Sequence, residues 1–159
     1  GLGDVYKRQM KNGTPVVLCI GSDKIPGDSI GPTVGDILKC RLNAKCFVYG
    51  CTGKSVNGKN LDSFVNTVRH AHPDSPIIAV DACLSNAHES GHVEITAAGV
   101  NPKRALTKRI NPVGDVGILG IIDRPSDDPL STLMTVPWDN VEKISNKIAI
   151  VIYKTLFCD

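Results

Sequence analysis

Two aspartates stand where a parallel sheet would place a site. Asp28 follows the apolar run VVLCI in the loop GSDKIPGDSI, just before Gly31-Pro32, and Asp81 lies near the end of the apolar run PIIAVDA. Open α/β sheets bind ligands outside the carboxyl ends of their strands, where strand order reverses. An Asp near the tail of a buried strand is costly unless it is hydrogen-bonded, paired or metal-bound. In one cleft, two such carboxylates share a proton, activate a water, or offer hard oxygen ligands to a divalent metal, the one cofactor this pair implies. The plainer reading makes Asp28 a loop or helix-start hydrogen bonder and Asp81 a cap on the loop after its strand. Asp115, in NPVGDVGILG, is a third carboxylate. It precedes a strand, opposite the usual ligand edge, which favours capping over an auxiliary role at the site.

Other residue patterns carry weaker chemistry. His88 to His92 reads HESGH, the spacing of a zinc-protease helix. Gly91 weakens a helix there, and Ser85-Asn86-Ala87 reads as a strand-to-strand connection, so loop or surface histidines are expected. Either ring, if it approached Asp81, would serve as base or third ligand. GCTGKS at Gly50 to Ser55 lacks the spacing of a phosphate-binding loop, because Val48 stands where the first glycine belongs. Cys83 and Ser85 are nucleophile candidates of low rank, with no GxSxG elbow around the serine.

The elements that must position these residues are written in the apolar periodicity. Val16 to Ile20, Cys46 to Tyr49, Pro76 to Ala82, Val93 to Ala97 and Val116 to Ile122 read as strands. Val34, Ile37 and Leu38 give an apolar face to a helix that starts at Gly31-Pro32 and ends near Arg41. Leu61, Phe64, Val65 and Val68 mark a second helix, which HPDSP stops. Val141, Ile144, Ile148, Ile152 and Leu156 define the buried stripe of a closing helix from Asp139 to Phe157, and RPSDDP before it reads as a loop or lid. The alternation predicts a three-layer α/β/α domain with a mostly parallel central sheet.

Composition bounds the rest. With 159 residues and 42% hydrophobic content, the chain suits one domain with one core. The 18 Lys plus Arg against 16 Asp plus Glu give a formal charge of +2, too balanced to announce a nucleic-acid partner or a membrane anchor. One Trp, three Tyr and three Phe, beside 15 Gly and 10 Pro, demand an aliphatic core and many turns. The six cysteines suit free thiols in a reducing cytoplasm better than a disulfide framework, since a domain of this size needs no staples. Residues 1–9, GLGDVYKRQ, read as a translated adapter remnant or cloning scar, leaving 10–159 as the single domain.

The ordered phrases LCIGSDKIPGDSIGPTVG, YGCTGKSVNGKNL, PIIAVDACLS and NPVGDVGILGII resemble the YyaC family of sporulation proteins, relatives of the spore germination protease and, more remotely, of the hydrogenase maturation proteases. The resemblance implies a phosphorylase/hydrolase-like fold and an endopeptidase site in which Asp28 and Asp81 are catalytic or hold a divalent metal. It implies a peptide or protein substrate, spore-related, met in the cytoplasm of a sporulating cell or spore. No His matches the third position that the hydrogenase relatives use for nickel, and Asn57 stands where the family tends to carry His. Gly27 and Gly31 are expected to let a substrate chain approach closely, and Asn60 to support the cleft. The alternative is a noncatalytic α/β protein that keeps the cleft to hold a peptide or regulatory partner.

Overall fold

The computed structural model describes residues 13–102 and 111–158. The nine-residue prefix and the Lys103-Arg104 end of the NPKR turn lie outside them. Strands β1 (Val16–Cys19), β2 (Phe47–Tyr49), β3 (Ile77–Leu84), β4 (Val93–Thr96) and β5 (Val116–Asp123) form one sheet in the order β2-β1-β3-β5-β4. All neighbours are parallel except β4, which runs antiparallel along β5 and ends the sheet. The mostly parallel α/β expectation holds.

Layering follows from the period of two along each strand. Val17 and Cys19 of β1, with Ile78 and Val80 of β3, pack against helix α1 (Ile30–Asp36) and helix α4 (Trp138–Phe157) through Ile30, Val34, Ile148 and Ile152. Val16, Leu18, Ile77 and Ala79 point the other way, onto Leu61 and Val68 of helix α2 (Leu61–Ala71). Each fully buried Val or Ile contributes about 2 kcal/mol by leaving water. Alternate residues of the central strands therefore feed two cores, and one sheet needs a helical layer on each side.

The periodic elements fall within a few residues of expectation. The first helix does run to Arg41, but over Ile37–Arg41 it widens into a π turn, with Leu42 N–H donating to the Ile37 carbonyl at 2.9 Å. The third strand continues past Ala82 to Leu84. RPSDDP leads not straight into the last helix but into a further short helix, α3 (Pro129–Met134). Its start is signalled by Asp128, whose Oδ1 accepts from Ser131 N–H at 3.1 Å, and by Pro129 at the first helical position. Six residues are too few for an apolar stripe to stand out. Among the described residues no helix is long and apolar enough to cross a membrane, and all six cysteines are free thiols.

Candidate functional site

The chain leaves β1 to one side for β2 and returns to the other side for β3, so strand order reverses between β1 and β3. Asp28 is brought to this point by a tight path. Ile20 N–H still bonds to the Val80 carbonyl at 2.8 Å, after which Gly21, at φ +145°, turns the chain away. A Cβ on Gly21 would strike the Asp28 backbone carbonyl, so the turn and the aspartate are packed on one another. A 3₁₀ turn over Pro26–Asp28 follows, and Asp28 Oδ2 accepts the Ser22 N–H at 3.1 Å.

Asp81 reaches the same place from within the sheet. β1 pairs with β3 only as far as Cys19 opposite Val80, whereas β3 pairs with β5 through Asp81 and beyond. Asp81 is thus the first residue of β3 past the end of β1. It is 7% exposed, and its Oδ1 accepts the Ala82 N–H at 2.9 Å. Burial, reinforced by the negative charge of Asp28, pushes the Asp81 carboxyl well above the usual carboxylate range, and the single Ala82 hydrogen bond opposes this only in part. Burial and the neighbouring acid thus both favour the protonated form of Asp81.

Both carboxylates border a cavity of about 500 Å³. Ile20, Leu84, Leu119 and Leu133 give it apolar walls, with Pro129 of α3 as part of its roof. A second groove, of about 620 Å³, also borders Asp28 and is lined by Ser22, Lys24, Asn57 and Lys59. Asp28 and Gly58 border both.

Cys83, two residues beyond Asp81 on β3, lines the same cavity, whereas Asp115, His88 and His92 are placed elsewhere. Asp115 lies at the amino ends of the strands: its Oδ2 accepts the Ile77 N–H at 2.8 Å, its own N–H bonds the Ile77 carbonyl, and Arg69 stands 3.9 Å away. It splices β5 to β3 at the edge opposite the cavity. His88 and His92 lie in the exposed connection from β3 to β4, stacked with ring centroids 3.8 Å apart, and neither lines the cavity. With Gly91 at φ +95° between them, HESGH is a loop and cannot present one helical face.

Gly27 and Gly31 do not line the cavity either; the space that a side chain would take is filled by protein. A Cβ on Gly27 would come within 2.8 Å of Leu133 Cα, and one on Gly31 would strike the Ile20 carbonyl. These glycines seat α3 and α1 rather than a substrate. Asn60 ties its loop, donating to the Ser55 carbonyl at 3.0 Å and accepting the Asn57 N–H at 2.8 Å, and so holds Gly58 at the rim. Sequence reasoning missed Leu133 and Pro129 as cavity walls, although the Asp128-Pro129 start signal was present.

Two carboxylates fit a hard divalent ion that would draw the rest of its shell from water and substrate. Among the described residues no group of three or more His, Cys, Asp or Glu is placed to hold a metal ion; the Cys83 thiol lines the same cavity, and no described imidazole does, so an imidazole-preferring metal lacks its donors there.

Set beside known proteins, residues 3–151 match the family described as a protein of unknown function, DUF1256. The chain belongs to this family. It is 36% identical over 108 residues to the uncharacterized protein YyaC of Bacillus subtilis (strain 168), which covers 68% of this chain and 53% of that protein, so the match spans about half of the relative's length. Among solved structures it is similar to the [NiFe] hydrogenase maturation protease HycI from Thermococcus kodakarensis KOD1, with a TM-score of 0.64 and 19% identity over 98% of this chain and 97% of that one. HybD, the corresponding protease from Thermococcus kodakarensis, gives 0.54 and 15% over 89% and 98%. This DUF1256 member is therefore YyaC-like and has the hydrogenase-maturation protease fold.

Proposed function

We propose that the chain is a peptidase acting on a protein substrate, with Asp28 and Asp81 as its catalytic pair. The observation that carries this reading is their convergence at the strand-order reversal, on the wall of one cavity. Support from outside the chain is the fold it shares with two hydrogenase maturation proteases. Ionised Asp28 takes a proton from a water whose oxygen attacks the scissile carbonyl carbon, while protonated Asp81 gives its proton to the carbonyl oxygen. In the resulting diol, Asp28 passes its proton to the amide nitrogen as the C–N bond breaks. Asp81 then recovers a proton from the hydroxyl that becomes the new carboxyl. The pair ends as it began, and it titrates as a unit.

A divalent ion on the same pair would supply a more acidic water; no step above needs one. The setting we propose, from the resemblance to a sporulation family and from six free thiols, is the reducing cytoplasm of a sporulating cell.

The test maps new amino termini in a mixture of unfolded proteins by mass spectrometry, with a chelator or with added divalent ions. The native chain is expected to generate a defined set, and Asp28→Asn and Asp81→Asn, folded by circular dichroism, to lose it by at least about 100-fold, the scale of a lost general acid or base. An unchanged set in the double variant, or no new termini from the native chain under any condition, overturns the reading and leaves a noncatalytic cleft that binds a partner. Loss of the set on chelation, restored by one added ion, assigns the pair to metal binding instead of direct proton transfer.

A further inference from the structure

We propose that this chain pairs with a second copy of itself through a face built on α3 and α4, an acidic apolar patch of each copy covering a basic apolar patch of the other about a twofold axis. The pairing does not depend on peptidase activity. Six large apolar side chains are exposed among the described residues, and five of them, Leu130, Met134, Trp138, Ile150 and Phe157, lie on these two consecutive helices. The sixth, Phe47, stands on β2 and is stacked on His72 with ring centroids 4.1 Å apart. Single exposed apolar residues are ordinary, but their concentration on one stretch of chain marks a surface that another surface covers.

Charge divides this stretch into two patches. Around Leu130, Met134 and Trp138, residues 123–142 carry Asp123, Asp127, Asp128, Asp139 and Glu142 against Arg124. Leu130 and Met134 are one helical turn apart and share a face of α3, while the buried Leu133 turns to the cavity. Residues 143–158, by contrast, carry Lys143, Lys147 and Lys154 and no acid. Lys147, Ile150, Lys154 and Phe157 recur at helical spacing and are all exposed, so they form one stripe along the last turns of α4. Tyr153 widens its apolar part, with its ring 5.3 Å from that of Phe157. The described ion pairs, Arg41 with Glu142 and Arg69 with Asp115, involve none of these lysines. Lys147 reaches the Gly91 carbonyl at 3.3 Å with one of its three donors.

The chain as a whole is nearly neutral, with 18 Lys plus Arg and 16 Asp plus Glu, so this separation of charge is local. An apolar surface bordered by acids fits an apolar surface that carries cations, and the end of α4 supplies both. Within one copy the two patches cannot meet, because α4 is a continuous helix of 20 residues, about 30 Å long, with Trp138 at its start and Phe157 at its end. Two copies set antiparallel along α4 bring them together. A twofold axis then makes the contact twice, the acids of each copy facing the lysines of the other, and closes the assembly. A single head-to-tail contact would leave both ends open to further growth. An anionic membrane would suit the α4 stripe alone but is opposed by the acids beside Trp138. The covered face includes the outside of α3, the helix whose Pro129 and Leu133 wall the cavity.

The experiment is sedimentation velocity of the full chain over a range of protein and salt concentrations. The native chain is expected to sediment as a dimer at micromolar concentration and to dissociate more readily as salt is added. Lys147→Glu with Lys154→Glu, and separately Asp127→Lys with Asp139→Lys, change exposed side chains, and circular dichroism checks that each variant is folded. Each double variant is expected to raise the dissociation constant by at least about 100-fold, because like charges then face each other. An equimolar mixture of the two is expected to return to within about tenfold of the native constant, since acid again meets base at both contacts of the mixed pair. Ile150→Asn should weaken the native dimer by about tenfold through the apolar share of the contact. A native chain that stays monomeric, a dimer that survives either charge reversal, or a mixture that stays monomeric overturns the pairing. So do species larger than a dimer, and so does flotation of the monomer with phosphatidylserine vesicles, which would assign the α4 stripe to a membrane surface.

Discussion

Asp81 concentrates the site's electrostatics in one side chain. An unfolded chain titrates this carboxyl near the ordinary 3.8, whereas in the folded chain burial and the neighbouring Asp28 move it well above that value. Below 3.8 both states hold the proton and burial costs nothing extra. As the pH rises through the window between the two values, the unfolded state releases a proton that the folded state retains, and stability falls. Asp81→Asn keeps the shape of the neutral acid at every pH. Its Tm advantage over the native chain is therefore expected to grow from acid towards neutral pH, as differential scanning calorimetry across that range would show. A Tm difference that stays constant with pH means that Asp81 titrates as an ordinary surface carboxyl. The same proton sets the alkaline limb of any cleavage profile, because activity as proposed needs Asp81 protonated and Asp28 ionised.

At the scale of elements, the Asp28 turn and α3 form one assembly. Gly27 leaves no room between that turn and Leu133, and Leu133 in turn walls the cavity. Gly27→Ala is expected to destabilise the fold by about 1–3 kcal/mol in urea unfolding, the cost of an added methyl in a filled contact. The Asp128 cap at the other end of the helix acts locally instead. Asp128→Ala removes about 1 kcal/mol of cap from a helix of six residues. Amide exchange is expected to rise over Ser131 to Met134 with little change at Val80 or Ile118, and a uniform rise across the sheet would refute this division. His88 and His92 make the converse point. Their motif spacing is real, but a loop with a left-handed glycine has no helical face on which to align two ligands.

At the scale of the molecule, six thiols are distributed by burial. Cys40 and Cys158 are exposed, whereas Cys19 is wholly buried and its thiol is pushed far above the ordinary range by desolvation. A thiol reagent at neutral pH is expected to label Cys40 and Cys158 rapidly and Cys19 only at the rate of unfolding; mass spectrometry of digests reads each site. Rapid labelling of Cys19 in native buffer would mean that β1, which carries the site loop, opens on its own.

Periodicity made the layers legible, because a strand buried on both faces and a helix with one apolar stripe leave local signatures: IIAV ahead of Asp81, and Val141, Ile144, Ile148 and Ile152 in α4. The same locality made Asp28 and Asp81 recognisable as acids after strand ends, and Asp115 as an acid before one. The sequence alone thus determined the element types, the α/β class and which acids stand at which strand end. Only the tertiary structure decided that β1 and β3 are neighbours, that Asp28 and Asp81 therefore share a cavity, that Gly27 and Gly31 seat helices, and that α3 roofs the site. Lateral strand order and helix docking are settled by contacts between segments tens of residues apart, and no local period encodes which strand will lie beside which.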